Sequence, residues 1–306
     1  MDKMRLIHLM VAEFQTNNKW VARKVLAQAE KAAAVAPEQY GLRKLHQAIH
    51  ACLNKVLTAD LSYLRRLPIV IASNDAKGCY DRIHLSVAIL TLYSFGVPYK
   101  ICKVLFTVLR RAIHSIQTGH GTVHDAYGGE GDNSNDAGQG NGMGPALWAL
   151  ILTKIIEAMR RAGHGITFVT ALTKNIIAFV GFAFVDNTDL GISADSPSVS
   201  GEELIASAQA AMNLWSQLLV ATGRALEPAK SFCYLLDYEF HPASCAYRYR
   251  SKDDLPGEFS LLDHTGASHG INMIEPQITK KTLGVFIAMD GNQEAQKEYL
   301  TNLSLE

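Results

Sequence analysis

The chain has 306 residues, 48% of them hydrophobic and 19% charged, with equal numbers of acidic and basic side chains. That length supports one large domain or two interlocked subdomains with a sizeable core, and the composition excludes a disordered chain. No uncharged run of about 18 apolar residues argues for a membrane span, and Met1–Arg5 leads into polar Glu13, Gln15 and Asn17 rather than into a signal sequence.

The five cysteines (Cys52, Cys79, Cys102, Cys233, Cys245) are odd in number and form no C-x-x-C pair. They fit reduced thiols in an intracellular protein, cytoplasmic or nuclear, better than a disulfide frame. The zero net charge hides an asymmetry. Residues 1–120 hold 17 Lys and Arg against 7 Asp and Glu, and the rest of the chain holds 12 against 22. A basic first third and an acidic remainder fit a part that grips a polyanion and a part that holds metal, although solvated faces can produce the same split.

Residues 4–11 read as a short strand or helix. Residues 20–35 have helical spacing and many alanines; Pro37 closes them, and 38–41 read as a loop. Residues 43–66 predict a long helix with basic residues spread along it. The β-branched run Leu67–Ala72, ending in Ser73-Asn74-Asp75, predicts a buried strand that delivers a polar group at its C-terminal end. Helical patterns follow over 81–94 and 98–116, parted at Val97-Pro98. The stretch 118–137, rich in Gly, Asp and Asn, predicts a mobile loop. Pro145 then opens an apolar helix through Met159.

Residues 176–192 predict a β-hairpin whose turn carries Asp186 and Asn187. An amphipathic helix over 201–221 ends at Gly223. Short strands are expected near 230–238, 246–250, 259–263 and 282–288. The order of elements predicts an α+β fold with an antiparallel sheet packed on helices.

Asp75 and Asp186 end strongly apolar strands, where a carboxylate is costly unless compensated. On adjacent strands the two would repel unless a cation lay between them, and hard oxygen donors favour magnesium over zinc. Asp is also a common strand-end turn residue. The glycine run 138–144 fits neither G-x-G-x-x-G nor G-K-[ST]. Clustered histidines such as His114, His120 and His124 lack a complementary pair at zinc-finger spacing.

The local wording narrows these alternatives. Ser73–Ile83, with Asp75 followed five positions later by Tyr80, resembles motif A of reverse transcriptases. Gly138–Leu147, with the Gln139-Gly140 pair leading to Pro145, resembles their motif B. Phe184-Val185-Asp186-Asn187 resembles motif C, Gly223–Lys230 motif D, and Leu283-Gly284-Val285 motif E. Gln39–Lys44 resembles the fingers motif of the non-long-terminal-repeat and group II intron enzymes. The six stand in the family's order over roughly residues 4–290.

The resemblance implies a right-hand fingers and palm, the palm an antiparallel sheet of RRM or ferredoxin-like form. Its divisions would be fingers at 1–66, palm with motif A at 67–83, fingers again at 84–137, palm with motifs B to E at 138–290, and the start of a truncated thumb or tail at 291–306. It also implies an RNA-directed DNA polymerase of a retroelement, working on an RNA template, a DNA primer and deoxynucleoside triphosphates, with further retroelement domains outside the chain and no membrane. Asp75, Asp186 and the carbonyl of Ala76 would hold two magnesium or manganese ions about 3.5–4 Å apart. Tyr80 would exclude a ribose 2′-hydroxyl. Arg43 and Lys44 would contact the triphosphate, Gln139 and Gly140 would line the nucleotide pocket, Lys230 would donate a proton or clamp charge, and Leu283 and Gly284 would hold the primer end. For each of these residues ordinary packing or a solvated surface is the plain alternative.

Three features depart from the family, one being Asp and Asn in place of the apolar residues expected before Gln139. Asn187 stands where motif C carries its second Asp; an amide keeps one carbonyl donor but removes a full charge beside the dications, which should weaken metal binding and slow reaction. Gly144 stands where relatives often carry Ser. The alternative function is therefore a catalytically dead reverse-transcriptase-like protein that grips RNA. Asp189, two residues beyond Asn187, is expected to be carried away from the site by the hairpin.

Overall fold

The computed structural model describes residues 9–77, 82–118, 121–129, 140–244, 246–254, 258–263 and 265–305. The chain clusters into two compact units. The first comprises Met1–Val35, Gly78–Lys154 and Ala221–Arg224; the second comprises Ala36–Lys77, Ile155–Val220 and Ala225–Glu306.

In the first unit lie α1 (Ala12–Lys31), α3 (Leu85–Ser94), α4 (Tyr99–Arg110) and the hairpin β2 (Ile113–Thr118) and β3 (Gly121–Gly128). The helix expected over 98–116 stops at Arg110. Beyond it Ile113, Ser115 and Ile116 pass into β2, and the apolar continuity across 108–116 disguises a change from helix to strand. The expected loop at 118–137 correspondingly begins inside this hairpin, where His114 and Tyr127 stack with centroids 5.2 Å apart. The remainder of that loop, 130–139, lies outside the described residues. α5 (Gly144–Arg161), expected from Pro145 to Met159, starts one residue earlier and ends two later, and it continues from the first unit into the second.

The second unit holds α2 (Ala48–Arg65) and β1 (Ile69–Lys77), then β4 (Ile166–Val169), β5 (Ile176–Phe179), β6 (Gly181–Phe184) and β7 (Asn187–Ser193). α6 (Gly201–Ala221) lies almost wholly in this unit. Further along come β8 (Ala225–Leu226), β9 (Phe232–Leu236), β10 (Tyr238–Phe240), β11 (Tyr247–Tyr249), β12 (Phe259–Leu262), β13 (Ser268–Ile274), β14 (Lys280–Thr282), β15 (Val285–Ile287) and α7 (Glu294–Leu305). α2 is closed at its start by a reciprocal box, Gln47 N–H donating to His50 Nδ1 at 3.3 Å, and at its end by Arg66 in the left-handed region. It packs on β6 and β15, so the expected division at 66/67 falls inside this unit.

The sheet runs β12-β13-β9-β1-β7-β6, with β8 pairing the end of β1. Its centre reads β9-β1-β7-β6, and its chain order is β1, α5, β6, β7, α6, β9. This is the split βαβ arrangement of ferredoxin-like folds. Neighbours are antiparallel except β13 with β9, which run parallel, so the sheet is mixed rather than purely antiparallel. β1 lies in the middle: Ile69, Val70, Ile71 and Ala72 are fully closed to solvent, as the unbroken apolar run requires.

By length and composition α6 could cross a membrane. Here Leu204, Ala208, Met212, Trp215 and Leu219 are buried, and Gln209 and Ser216 donate to the Ser260 and Leu262 carbonyls of β12, as suits a core helix.

Candidate functional site

Two segments converge at the C-terminal end of β1. On one side β7 pairs antiparallel with β1 along the length of β7, and the last pair is Asp75 opposite Asn187. Phe184 pairs with Asn187 across β6 and β7, so the hairpin turn is Val185-Asp186. Asn187, expected in the turn, is instead the first residue of β7. The turn is tight because Val185 takes φ 57°, a left-handed conformation unusual for a β-branched residue. Directly opposed residues share a sheet face, so Asp75 and Asn187 project together, with Asp186 adjoining them at the turn.

On the other side β1 changes partner. β9 pairs with it only as far as Ser73, opposite Phe232, and β8 takes over at Ala76 and Lys77. The chain between β8 and β9 forms a short 3₁₀ turn, Pro228–Lys230, and Glu227 N–H donates to the Asp75 carbonyl at 3.0 Å. This turn brings Lys230 Nζ to 2.5 Å from Asp75 Oδ2, with Lys230 largely exposed and Asp75 partly so. The hydrogen bond to Asp75, reinforced by the charges of Asp75, Glu227 and Asp186, holds the Lys230 ammonium above the ordinary lysine range. Asp75, Asp186, Asn187, Ala76 and Lys230 thus form one constellation within the second unit.

A third segment borders it. Glu38–Tyr40 runs along β6: Ala183 N–H donates to the Glu38 carbonyl at 2.9 Å, and Tyr40 N–H to the Ala183 carbonyl at 2.8 Å. Glu38 is buried, and its Oε1 accepts from Arg160 Nη2 at 2.6 Å and from Val180 N–H at 3.0 Å. The segment delivers Gly41 against the turn, where a Cβ on Gly41 would stand 2.7 Å from Val185 N. Arg43 follows, but its Nη1 donates to the Ala36 and Gln39 carbonyls at 3.3 and 3.2 Å, so much of its donor capacity is committed to backbone. Lys44 is exposed. Leu283 and Gly284, both at positive φ, form the two-residue turn between β14 and β15, a hairpin geometry.

Gly140 belongs to the first unit, in a turn tied to α1. Gln15 Nε2 donates to the Gly140 carbonyl, Gly142 N–H donates to Gln15 Oε1 at 2.9 Å, and Asn18 Nδ2 donates to Asn141 Oδ1 at 2.9 Å. Tyr80 and Gln139 lie outside the described residues.

The surroundings of Asp189 escaped the sequence reading. It lies opposite Ser73, on the same sheet face as Asn187, but its Oδ2 is 3.1 Å from Lys55 Nζ of α2. Lys55 also lies over the Tyr234 ring, 5.8 Å from its centroid. The signal was present: Lys55 falls at helical spacing among Ala51, Cys52, Ala59 and Ser62, all buried, where a lysine needs a buried partner.

As a metal site the donors are sparse. Among the described residues no group of three or more His, Cys, Asp and Glu side chains gathers. Two carboxylates, the Ala76 carbonyl and the Asn187 amide oxygen are too few for an all-protein cage. They do fit magnesium that arrives with phosphate oxygens and water completing its shell.

No protein-family profile and no curated protein sequence matches the chain. In fold it is similar to solved structures of telomerase. Apo telomerase from Candida tropicalis, truncated from its C-terminal domain, aligns at 9% identity and a TM-score of 0.47, covering 78% of this chain and 45% of that one. Telomerase from Candida tropicalis in complex with the TWJ fragment of telomeric RNA aligns at 11% identity and 0.47, covering 82% and 37%. The Candida albicans complex with the same fragment aligns at 11% and 0.44, covering 78% and 38%. The chain spans less than half the length of each.

Proposed function

We propose that this chain is a reverse-transcriptase-like polymerase core that extends a DNA primer on an RNA template, with its nucleotidyl-transfer site at Asp75, Asp186 and Asn187. The observation that carries the reading is the pairing of Asp75 with Asn187 on adjacent strands, with Asp186 next to them at the turn. Two residues 112 positions apart in the chain (187 − 75) are thus paired, which supports reading their segments as motifs A and C. The retroelement type rests on the wording of Gln39–Lys44, and an intracellular setting rests on the odd number of cysteines and their lack of a C-x-x-C pair.

In this reading Asp75 and Asp186 are the anchoring carboxylates for two magnesium ions, with the Ala76 carbonyl as a further donor. Bound there, magnesium would activate the primer hydroxyl and neutralise the departing pyrophosphate. Lys230 holds the Asp75 carboxylate in one orientation and carries a proton beside the site. Gly41 lets the Glu38–Arg43 segment lie against the Asp186 turn. The roles of Tyr80 as sugar gate and of Gln139 and Gly140 at the nucleotide rest on motif wording alone, and Leu283-Gly284 would lie under the primer end. Asn187 lowers the negative charge by one, so the rate is reduced relative to a site with three carboxylates.

A second reading is favoured by the Lys230–Asp75 ion pair, which together with the Asn187 amide leaves little net negative charge to attract dications. The chain would then be an RNA-binding protein of this fold without chemistry. Primer extension on RNA with deoxynucleotides and Mg²⁺ or Mn²⁺ decides between them. The polymerase reading expects activity that rises on the order of a hundredfold in Asn187→Asp and disappears in Asp75→Asn. Silence in both the parent chain and Asn187→Asp, with salt-sensitive RNA binding retained, would establish the binder.

A further inference from the structure

The solvent face of α1 combines charge and aromaticity in a way the polymerase reading does not use. On a helical projection Lys19, Arg23, Ala27, Trp20, Lys31 and Lys24 fall on one arc, with Trp20 flanked by cations on both sides and with Glu13 and Glu30 entering the arc only towards the two ends of the helix. The small Ala27 beside it leaves the indole uncovered. The opposite face, at Asn18, Ala22 and Ala29, is buried. Trp20 is 59% exposed, and Lys24 Nζ stands 5.8 Å from the centroid of its ring. The indole is a large apolar surface left open among cations, and hydrophobic packing does not explain it.

The two carboxylates of the helix, Glu13 and Glu30, stand near its ends. At the same helix the side-chain stem of Lys19 lies over Gly142, where a Cβ would collide with Lys19 Cγ. The basic face is therefore anchored to the turn that Gln15 and Asn18 already fix.

We infer that this face of α1 is a binding site for single-stranded polynucleotide, with Trp20 stacking on a base and Lys19, Arg23 and Lys24 contacting consecutive phosphates. An exposed aromatic among cations at helical spacing matches the alternating base and phosphate chemistry of a single strand. An acidic protein surface would satisfy the cations but would leave the indole face without its planar partner. The site does not depend on Asp75 or Asp186.

The chain has three tryptophans, and Trp148 and Trp215 are each 1% exposed, so ligand-dependent change in indole emission reports on Trp20. The full chain is titrated with oligouridylate while its tryptophan emission is followed, and a labelled copy of the oligonucleotide gives affinity by anisotropy. Emission should be quenched to saturation. Trp20→Ala should lose the quench and bind roughly tenfold more weakly. The triple substitution of Lys19, Arg23 and Lys24 by Gln should lower the slope of log affinity against log salt by about 2. Asp75→Asn should abolish extension and leave the quench intact, which separates this site from the catalytic reading. Unchanged emission on saturation, parent-like affinity in the variants, or equal quenching by polyglutamate would each overturn the inference; the last would mark the face as one for an acidic protein. All these side chains are exposed, so circular dichroism of the variants should match the parent chain.

Discussion

Lys55 and Asp189 form an ion pair inside the second unit, Nζ 3.1 Å from Oδ2, with both side chains nearly closed to solvent. The other carboxylate oxygen of Asp189 is buried without a hydrogen-bond partner, so Lys55 is its main compensation. Lys55→Met should therefore destabilise the chain by about 3–5 kcal/mol, because it strands a buried charge. The double variant Lys55→Met/Asp189→Leu should recover most of that loss. Urea denaturation of the three proteins gives the comparison; equal stability of the single and double variants would contradict it.

In the proposed site Lys230 would compete with cations for Asp75. Removing its charge with Lys230→Met should tighten Mn²⁺ binding by roughly two- to fivefold, the scale of an exposed ion pair. Water-proton relaxation measures this directly, and a weaker affinity would show that Lys230 assists metal binding instead. The raised proton affinity of Lys230 also fixes a pH dependence. Its contribution to stability is complete below the ordinary lysine value of 10.5 and is lost only as pH rises through the higher folded value. The stability difference between Lys230→Met and the parent chain should therefore stay flat across neutral pH.

Gly41 is set by space rather than by backbone conformation. A methyl group there meets Val185 N at 2.7 Å and Val185 Cγ2 at 3.1 Å, so either the 38–43 segment or the Asp186 turn must move. Gly41→Ala should cost about 1–3 kcal/mol in stability. It should also reduce Mn²⁺ affinity, since Asp186 belongs to the displaced turn. Wild-type stability and metal affinity in this variant would show that the contact yields freely.

Glu38 anchors the same segment through Arg160 and the Val180 amide. Glu38→Gln keeps an accepting oxygen but loses the charge and buries an amide nitrogen where Oε2 has no partner. A loss of about 1–3 kcal/mol follows. Hydrogen exchange should speed at the Tyr40 and Ala183 amides before the rest of the sheet responds.

How much of this could be read from residue order depends on the element. β1 and α6 were legible because each carries a strong apolar signal bounded by clear stops, Ser73-Asn74-Asp75 and Gly223. The pairing of β1 with β7 is suggested in the sequence only by the wording around Asp75 and Asp186, since no periodicity reveals which strands pair. The sequence alone puts Asn187 in the turn because a one-residue shift of register leaves composition unaltered, and only the Phe184–Asn187 pair fixes it in β7. The hairpin at β2 and β3 was missed because helix and strand patterns overlap over 108–116. β13, rich in Gly, His and Asn, carried no strand signal; its parallel pairing with β9 comes from tertiary context.

The register that sets Asn187 opposite Asp75 has an evolutionary reading. Asparagine and aspartate have nearly the same shape, and their codons differ at a single base. Because the position lies in a paired strand and not in a strained turn, exchange between them leaves the ladder and the hairpin intact. Gain or loss of that acidic group can therefore proceed by one transition mutation without passing through a misfolded ancestor.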